Sequence, residues 1–352
     1  MLAEPSELEL GAASFWYANK MVNAAALALN LVLAVAIPQD LLDVQSGHEV
    51  TPPPAPTTLL QSLPLDAVQR TALQASIARH DYDGAEILLV AEIEKNPKSP
   101  QLLSFLGSIS FLNGNYMNTA IAMKKAEALS PLNNRERFTL AMAYVALKRP
   151  DWARPELDKL ARSGEKNAMY PYWLSRLDYN DMNFDSAAGN AQRAIEWDPA
   201  FMKAYDSLGL IYEAIGKFDE AIDAYQTAIK LNDQKKPCSP WPGMNLAALL
   251  VKLGHTEKAA EPLQESMGCD ARFPQSHFQK GLMLEKQNKL PEAIRELEQA
   301  AALNPTYPEP HYAQGRIYKK LGEEAKAEQA WAKFQQLKEE KSKAAKLRKQ
   351  SR

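Results

Sequence analysis

In residues 202–235 apolar side chains fall at Tyr205, Leu208, Tyr212 and Ile215, then at Phe218, Ala221, Ile222, Tyr225 and Ile229, with polar residues between them. A return every three or four positions marks one face of an α-helix, so the stretch predicts two amphipathic helices joined at Gly216. Small residues at Gly209 and Ala221 predict that the two helices approach closely, while Tyr205, Tyr212 and Tyr225 fill space toward a neighbouring unit.

The same pattern recurs along the chain. Stepping by 34 residues from Gly209 reaches Ser175, Ala141 and Gly107 in one direction; in the other, Gly281 and Gly315 are 34 apart and Gly281 lies 72 beyond Gly209. Twelve residues after each of these small residues stands Thr119, Ala153, Ala187, Ala221, Ala293 or Ala327. Pro97, Pro131, Pro199 and Pro305 end four of the units at equivalent places. From Gly209 to Ala247 the step is 38, which puts a four-residue insertion around Lys236–Pro240. Self-similarity at this period means stacked supersecondary units, none of which can bury its apolar face alone.

The run of Tyr/Trp, Leu-Gly, Tyr, Gly-x-Tyr/Phe, Ala, Tyr/Phe, Ala and Pro at this spacing resembles the tetratricopeptide repeat family. The resemblance covers residues 66–341 as eight units: 66–99, 100–133, 134–167, 168–201, 202–235, 240–273, 274–307 and 308–341. It implies an all-α fold, a right-handed α-solenoid of antiparallel helix hairpins with no strands. Two units depart from the pattern. Unit three has Pro150 where an aromatic is usual and Pro155 early in its second helix; unit six opens on Trp241-Pro242-Gly243 and carries Pro262 inside its second helix. A proline removes a helix hydrogen bond, so a late start and a kink are expected at these places.

The resemblance also implies a concave groove, lined by the first helix of each unit, that holds a protein or peptide partner. Mapped onto this sequence, the groove positions are Phe105 and Ser108, Phe138 and Met142, Tyr172, Trp173 and Arg176, Asp206 and Leu210, Asn245, Phe278, Tyr312 and Arg316. Aromatics with a few arginines are the composition of interaction hot spots, so an apolar or proline-containing segment is expected near Phe138, Met142, Tyr172 and Trp173. The opposing reading is that several of these rings pack between helices, since an aromatic stripe at helical spacing is usually core. Cys238, in the insertion, and Cys269, at the end of unit six, fall on loops at one edge of adjacent units. In an exported chain they would pair as a disulfide and pin the proline-weakened sixth unit; in a reducing compartment they would stay as two thiols.

Residues 1–65 differ from the rest. They hold one basic residue, Lys20, against six acidic ones, and contain the apolar run Met21–Ile37. At 17 residues with two asparagines the run is short for a membrane span of about 20 residues. It fits the apolar region of a secretory signal, with Ala34-Val35-Ala36 at the cleavage place, or a membrane anchor through residues 21–37; a capping helix on the first unit is the alternative. Residues 1–36 are therefore expected to be a signal peptide or anchor and 37–65 a spacer, extended by Pro52, Pro53, Pro54 and Pro56. Export to a periplasmic, secreted or membrane-anchored location follows from that reading, a cytoplasmic one from the alternative. At the other end, Lys338–Arg352 carries seven basic and two acidic residues, a solvated helix end or, on a sharper reading, a phosphate- or lipid-binding tail.

Composition narrows the classes. Apolar residues are 46% and charged residues 24%, ordinary for folded protein, which excludes wholesale disorder. Lys and Arg total 41 against 43 Asp and Glu, a net charge of −2 that lacks the field for nucleic-acid binding. Two cysteines exclude a multi-cysteine metal site. Gly-rich phosphate loops, nucleophile elbows and His-Glu-x-x-His or Cys-x-x-Cys motifs do not occur. His277 and His311 fall at a packing position of their units, His80 and His255 in turns, and His48 in the spacer. No cofactor, metal or catalytic residue is expected. The sequence reads as a non-catalytic interaction scaffold; the alternative is an accessory subunit of a secretion, envelope or enzyme assembly.

Overall fold

The computed structural model describes residues 59–232 and 237–350. The expected leader (1–36), residues 37–58 of the spacer (37–65) and, at the insertion around Lys236–Pro240, Lys236 lie outside them. A short 3₁₀ turn, Leu59–Ser62, precedes sixteen α-helices among the described residues. They form consecutive antiparallel hairpins: α1 (Ala67–Ala78) with α2 (Tyr82–Lys95), α3 (Pro100–Leu112) with α4 (Tyr116–Leu129), and α5 (Asn134–Ala146) with α6 (Pro150–Ala161). Next come α7 (Met169–Asn180) with α8 (Phe184–Trp197), α9 (Met202–Ala214) with α10 (Phe218–Asn232), and α11 (Trp241–Lys252) with α12 (Ala260–Cys269). The last are α13 (Pro274–Lys286) with α14 (Leu290–Leu303), and α15 (Glu309–Lys320) with α16 (Glu324–Gln350). No strand occurs among the described residues. Each first helix packs on its own second helix, and successive hairpins pack on one another in chain order, an all-α solenoid.

Local chemistry starts and stops these helices. Asp66 and Asn133 form capping boxes with Gln69 and Glu136, and the Asp81 and Ser99 side chains accept from the Gly84 and Leu102 amides. Those bonds satisfy amides that the first helical turn leaves without partners. The turn inside each hairpin is the same device eight times. A residue with positive φ occupies positions 80, 114, 148, 182, 216, 254, 288 and 322. The residue after it donates its amide back to a carbonyl in the last helical turn, as Asn183 does to Asp178 and Lys217 to Tyr212. This is the Schellman closure, in which the left-handed residue is most often glycine. Here four of the eight are not: His80, Lys148, Met182 and Asn288.

Glycine is needed at a second place, where the first helix meets the second. A Cβ built on Gly209 would stand 2.5 Å from the buried ring of Tyr225, and one on Gly315 would stand 2.2 Å from Trp331. Where Ser175 takes this position, its hydroxyl donates to the Ala187 carbonyl at 2.7 Å. Ala153, Ala187, Ala221, Ala293 and Ala327 on the second helices are fully buried at these crossings. The apolar residues form a chain of clusters, one at the first two hairpins, one over hairpins two to four, and one over the last four. A further cluster bridges α8 and α9–α10.

The prolines act differently from expectation. α6 begins at Pro150, which supplies the fixed φ suited to a first helical position, so no late start occurs there although Pro155 lies within the helix. α12 does start late, at Ala260, with Pro262 in its first turn where the missing amide costs little. The other second helices start 34 residues apart, at 82, 116, 150, 184 and 218, then at 290 and 324.

The left-handed residues give a direct test. An L side chain pays about 1–2 kcal/mol to sit there, of which glycine's larger unfolded-state entropy offsets about 0.5–1. Met182, exposed and at φ 59°, loses no packing on truncation. Met182→Gly is therefore expected to stabilise the fourth hairpin by about 0.5–1 kcal/mol. Gly216→Ala should destabilise the fifth by about 1 kcal/mol. Hydrogen exchange of the α7–α8 and α9–α10 amides would read both.

Candidate functional site

The aromatic stripe expected to line the groove is core. Phe105, Phe138, Met142, Tyr172 and Trp173 are each at most 7% exposed. Phe138 packs at a tilt on Tyr170 at 5.5 Å between ring centres, and Tyr172 sits edge-on to Trp173 and to Phe201 at 5.4 and 5.3 Å. Arg176, Asp206 and Asn245 are buried as well. Arg176 donates to the Tyr172 hydroxyl at 3.4 Å, and Asn245 Nδ2 donates to Asp206 Oδ1 at 2.9 Å. Burial pushes the Tyr172 hydroxyl up to about 12, with the nearby Arg176 opposing it. Phe278 is half-buried against Tyr307, whereas Tyr312 is 46% exposed, packed on Phe334 with the Arg316 guanidinium over its ring. Helical spacing cannot separate a ring on the floor of a groove from one wedged between helices, and here large rings fill the inter-helix space.

What the first helices do present is polar and lies further along. A cavity of about 640 Å³ opens on α9, α11, α13 and α15. Its apolar lining is Ala248, Val251 and Leu282, and its charged lining is Glu213, Glu285, Lys252, Lys286, Arg316 and Lys320. Of the positions mapped from the sequence, Arg316 is in this lining. Lys252, Lys286 and Lys320 are the last residues of α11, α13 and α15, 34 apart. That spacing was visible in the sequence, but a lysine near a helix end reads locally as a solvated residue favoured by the helix dipole. The carboxylates are already engaged. Glu285 is 9% exposed and gives one oxygen to Arg316 at 2.6 Å and the other to Lys320 at 2.8 Å. Glu213 accepts from Lys252 at 3.0 Å and from the Tyr225 hydroxyl at 3.4 Å. Lys286 donates to the Val251 carbonyl at the end of α11.

Cys238 and Cys269 are bonded as a disulfide, with Cα atoms 5.3 Å apart. Near it side chains tie neighbouring segments: Asn232 Nδ2 donates to the Ser239 carbonyl, its Oδ1 accepts from the Ser239 amide, and Ser266 donates to the Pro240 carbonyl. The bond ties the entry to α11 to the end of α12, across the hairpin whose second helix starts late. Closing a loop of 31 residues is worth roughly 3–4 kcal/mol in the chain-entropy picture. Cys238→Ser with Cys269→Ser should lower the urea midpoint and speed amide exchange in α11 and α12 before the first four hairpins respond. Uniform exchange along the chain would contradict this placement.

No group of three or more His, Cys, Asp or Glu side chains among the described residues is arranged to hold a metal ion. His277 is enclosed instead, with Nδ1 2.7 Å from Glu296 Oε2 and Nε2 3.0 Å from the Ala271 carbonyl. Burial raises the Glu296 carboxyl, but bonds from Lys280 and His277 outweigh it and leave the pKa lowered. A carboxyl with a depressed folded pKa stabilises above its unfolded value and loses that contribution as pH falls through the folded one. Glu296→Gln is thus expected to lower stability at neutral pH and to narrow its gap to the parent as pH drops through 4. A constant gap across that range, in thermal melts, would count against it.

Family models match two stretches: TPR repeat over residues 281–322 and Tetratricopeptide repeat over residues 203–235. Among curated relatives, tetratricopeptide repeat protein 21A of Homo sapiens is 29% identical over 106 residues, 28% of this chain and 8% of that protein. A DnaJ homolog subfamily C member 7 homolog of Dictyostelium discoideum is 21% identical over 253 residues, 64% of this chain and 46% of that protein. The chain thus spans less than half the length of either. Among solved structures, a tetratricopeptide repeat protein from Parabacteroides merdae superposes with a TM-score of 0.58 at 15% identity, covering 74% of this chain and 99% of that one. The APC/C hetero-tetramer Cut9-Hcn1 gives 0.58 at 15% (74% and 51%), and yeast Tom70 gives 0.53 at 18% (76% and 58%). These likenesses are of fold. The repeat matches at residues 203–235 and 281–322, with the hairpin that recurs along the chain, support a tetratricopeptide repeat protein.

Proposed function

We propose that this chain is a non-catalytic scaffold that holds a protein partner against the first helices of its last four hairpins. The observation that carries it is the cavity on α9, α11, α13 and α15, built from four separate hairpins around an apolar floor and a charged wall. Such a surface joins a small desolvated centre to polar groups that fix orientation, the anatomy of a protein interface. Service as an accessory subunit of a larger assembly uses the same surface. Photo-crosslinking from Ala248 or Gln279 is expected to trap a partner, while the same group at exposed Met182 does not. Trapping from Met182 alone would move the interface elsewhere.

A second observation bears on location. The Cys238–Cys269 disulfide fits an oxidising compartment, since cytosolic thiols are kept reduced. Together with the apolar run in residues 21–37, which lies outside the described residues, it supports an exported chain. No helix among the described residues is long and apolar enough to cross a membrane.

A further inference from the structure

The cavity on α9, α11, α13 and α15 carries a charge pattern that narrows the partner's chemistry beyond the scaffold reading on which it rests. Its wall holds four cations, Lys252, Lys286, Arg316 and Lys320, against two carboxylates, Glu213 and Glu285, a net +2 in a chain whose own net charge is −2. We propose that this wall binds an acidic, extended segment of a partner protein whose Asp or Glu residues recur at every third position.

The spacing follows from the repeat. Lys252, Lys286 and Lys320 occupy one register position, the final residue of three successive first helices. Helices in contact lie about 8–10 Å apart, and an extended chain advances about 3.3 Å per residue, so one rung of the ladder matches about three residues. Lys252 and Lys320 are more than half exposed, and Arg316 is 42% exposed, so their donors remain open to an incoming carboxylate. Glu285 serves as an internal anion that holds Arg316 and Lys320 in place. Being sunk beneath them, it spends only part of their donor capacity, since a guanidinium has five N–H donors and an ammonium three. Lys286 donates to the Val251 carbonyl, one of its three ammonium donors. The floor of Ala248, Val251 and Leu282 supplies apolar contact for the residues between the acids, which favours a peptide over a nucleic acid or polyphosphate.

The test uses the full chain and a fluorescent synthetic peptide with Glu at every third position, read by anisotropy at low and physiological salt, beside a twin with Gln in place of Glu. Expected is saturable binding of the Glu peptide, weakened by salt and absent for the Gln twin. Lys286→Glu with Lys320→Glu should reduce affinity about tenfold, the sum of two modest exposed pairs lost and two repulsions gained. Lys286→Ala, which removes little but one bond to a carbonyl, serves as the milder variant and should reduce it less, with the helical circular dichroism unchanged. If Glu and Gln peptides bind alike and both are lost in Leu282→Asp, the acidic partner is wrong while the groove reading stands. If neither peptide binds the parent protein, this proposal fails, and crosslinking from Ala248 judges the groove separately. Tighter binding of polyphosphate or single-stranded DNA, in competition with the Glu peptide, would overturn the assignment to a protein segment.

Discussion

Four of the hairpins share one contact: a glycine on the first helix lies against a large side chain sixteen residues later on the second. Gly107 faces Met123, Gly209 faces Tyr225, Gly281 faces Leu297 and Gly315 faces Trp331, in each case closer than a Cβ would allow. The gap lets the helices approach until Met123, Tyr225 and Leu297 are fully buried and Trp331 is half-buried, and burying such a group contributes up to about 1.5–3 kcal/mol. Everything else follows from that approach. The Schellman turn must close within three residues because the helices are near, and the outer faces of the hairpin remain apolar enough that a neighbour must cover them.

The period, the helix pairing and the all-α class were legible because they rest on residue types that physics forces: small residues at the crossing, apolar residues at three- and four-residue spacing. The turn was half legible. Gly216 and Gly322 announce the left-handed residue, but Lys148 and Met182 do not, since there the rest of the motif holds an L residue in a costly conformation. The late start of α12 was readable from Pro262, whereas Pro150 belongs to a start rather than a delay, a distinction of one helical position.

The site was the least legible part. Tyr172 and Trp173 have the composition of a binding face and the spacing of a core, and packing with Phe201 decided between them. The lysines of the later hairpins are the reverse case. Each is unremarkable alone, and only the alignment of α11, α13 and α15 places them in one wall. A signal distributed at the repeat length is invisible to any reading confined to one helix.

The position of those lysines also explains why the solenoid tolerates them. At the last residue of a helix a cation meets the negative end of the helix dipole, a favourable term of about 0.3–1 kcal/mol. Lys252 and Lys286 therefore help to finish α11 and α13 while presenting charge to the cavity. Arg316 and Lys320 are held by a carboxylate that is itself nearly buried, and Glu285 is in turn acceptable there because two cations share it. The disulfide acts on the same wall from behind. By tying the entry of α11 to the end of α12, it fixes the hairpin whose helix carries Ala248, Val251 and Lys252, the one with the shortest second helix. Stability and recognition are thus not separable in the last four hairpins: the groups that end the helices and brace the weakest unit are those that shape the cavity.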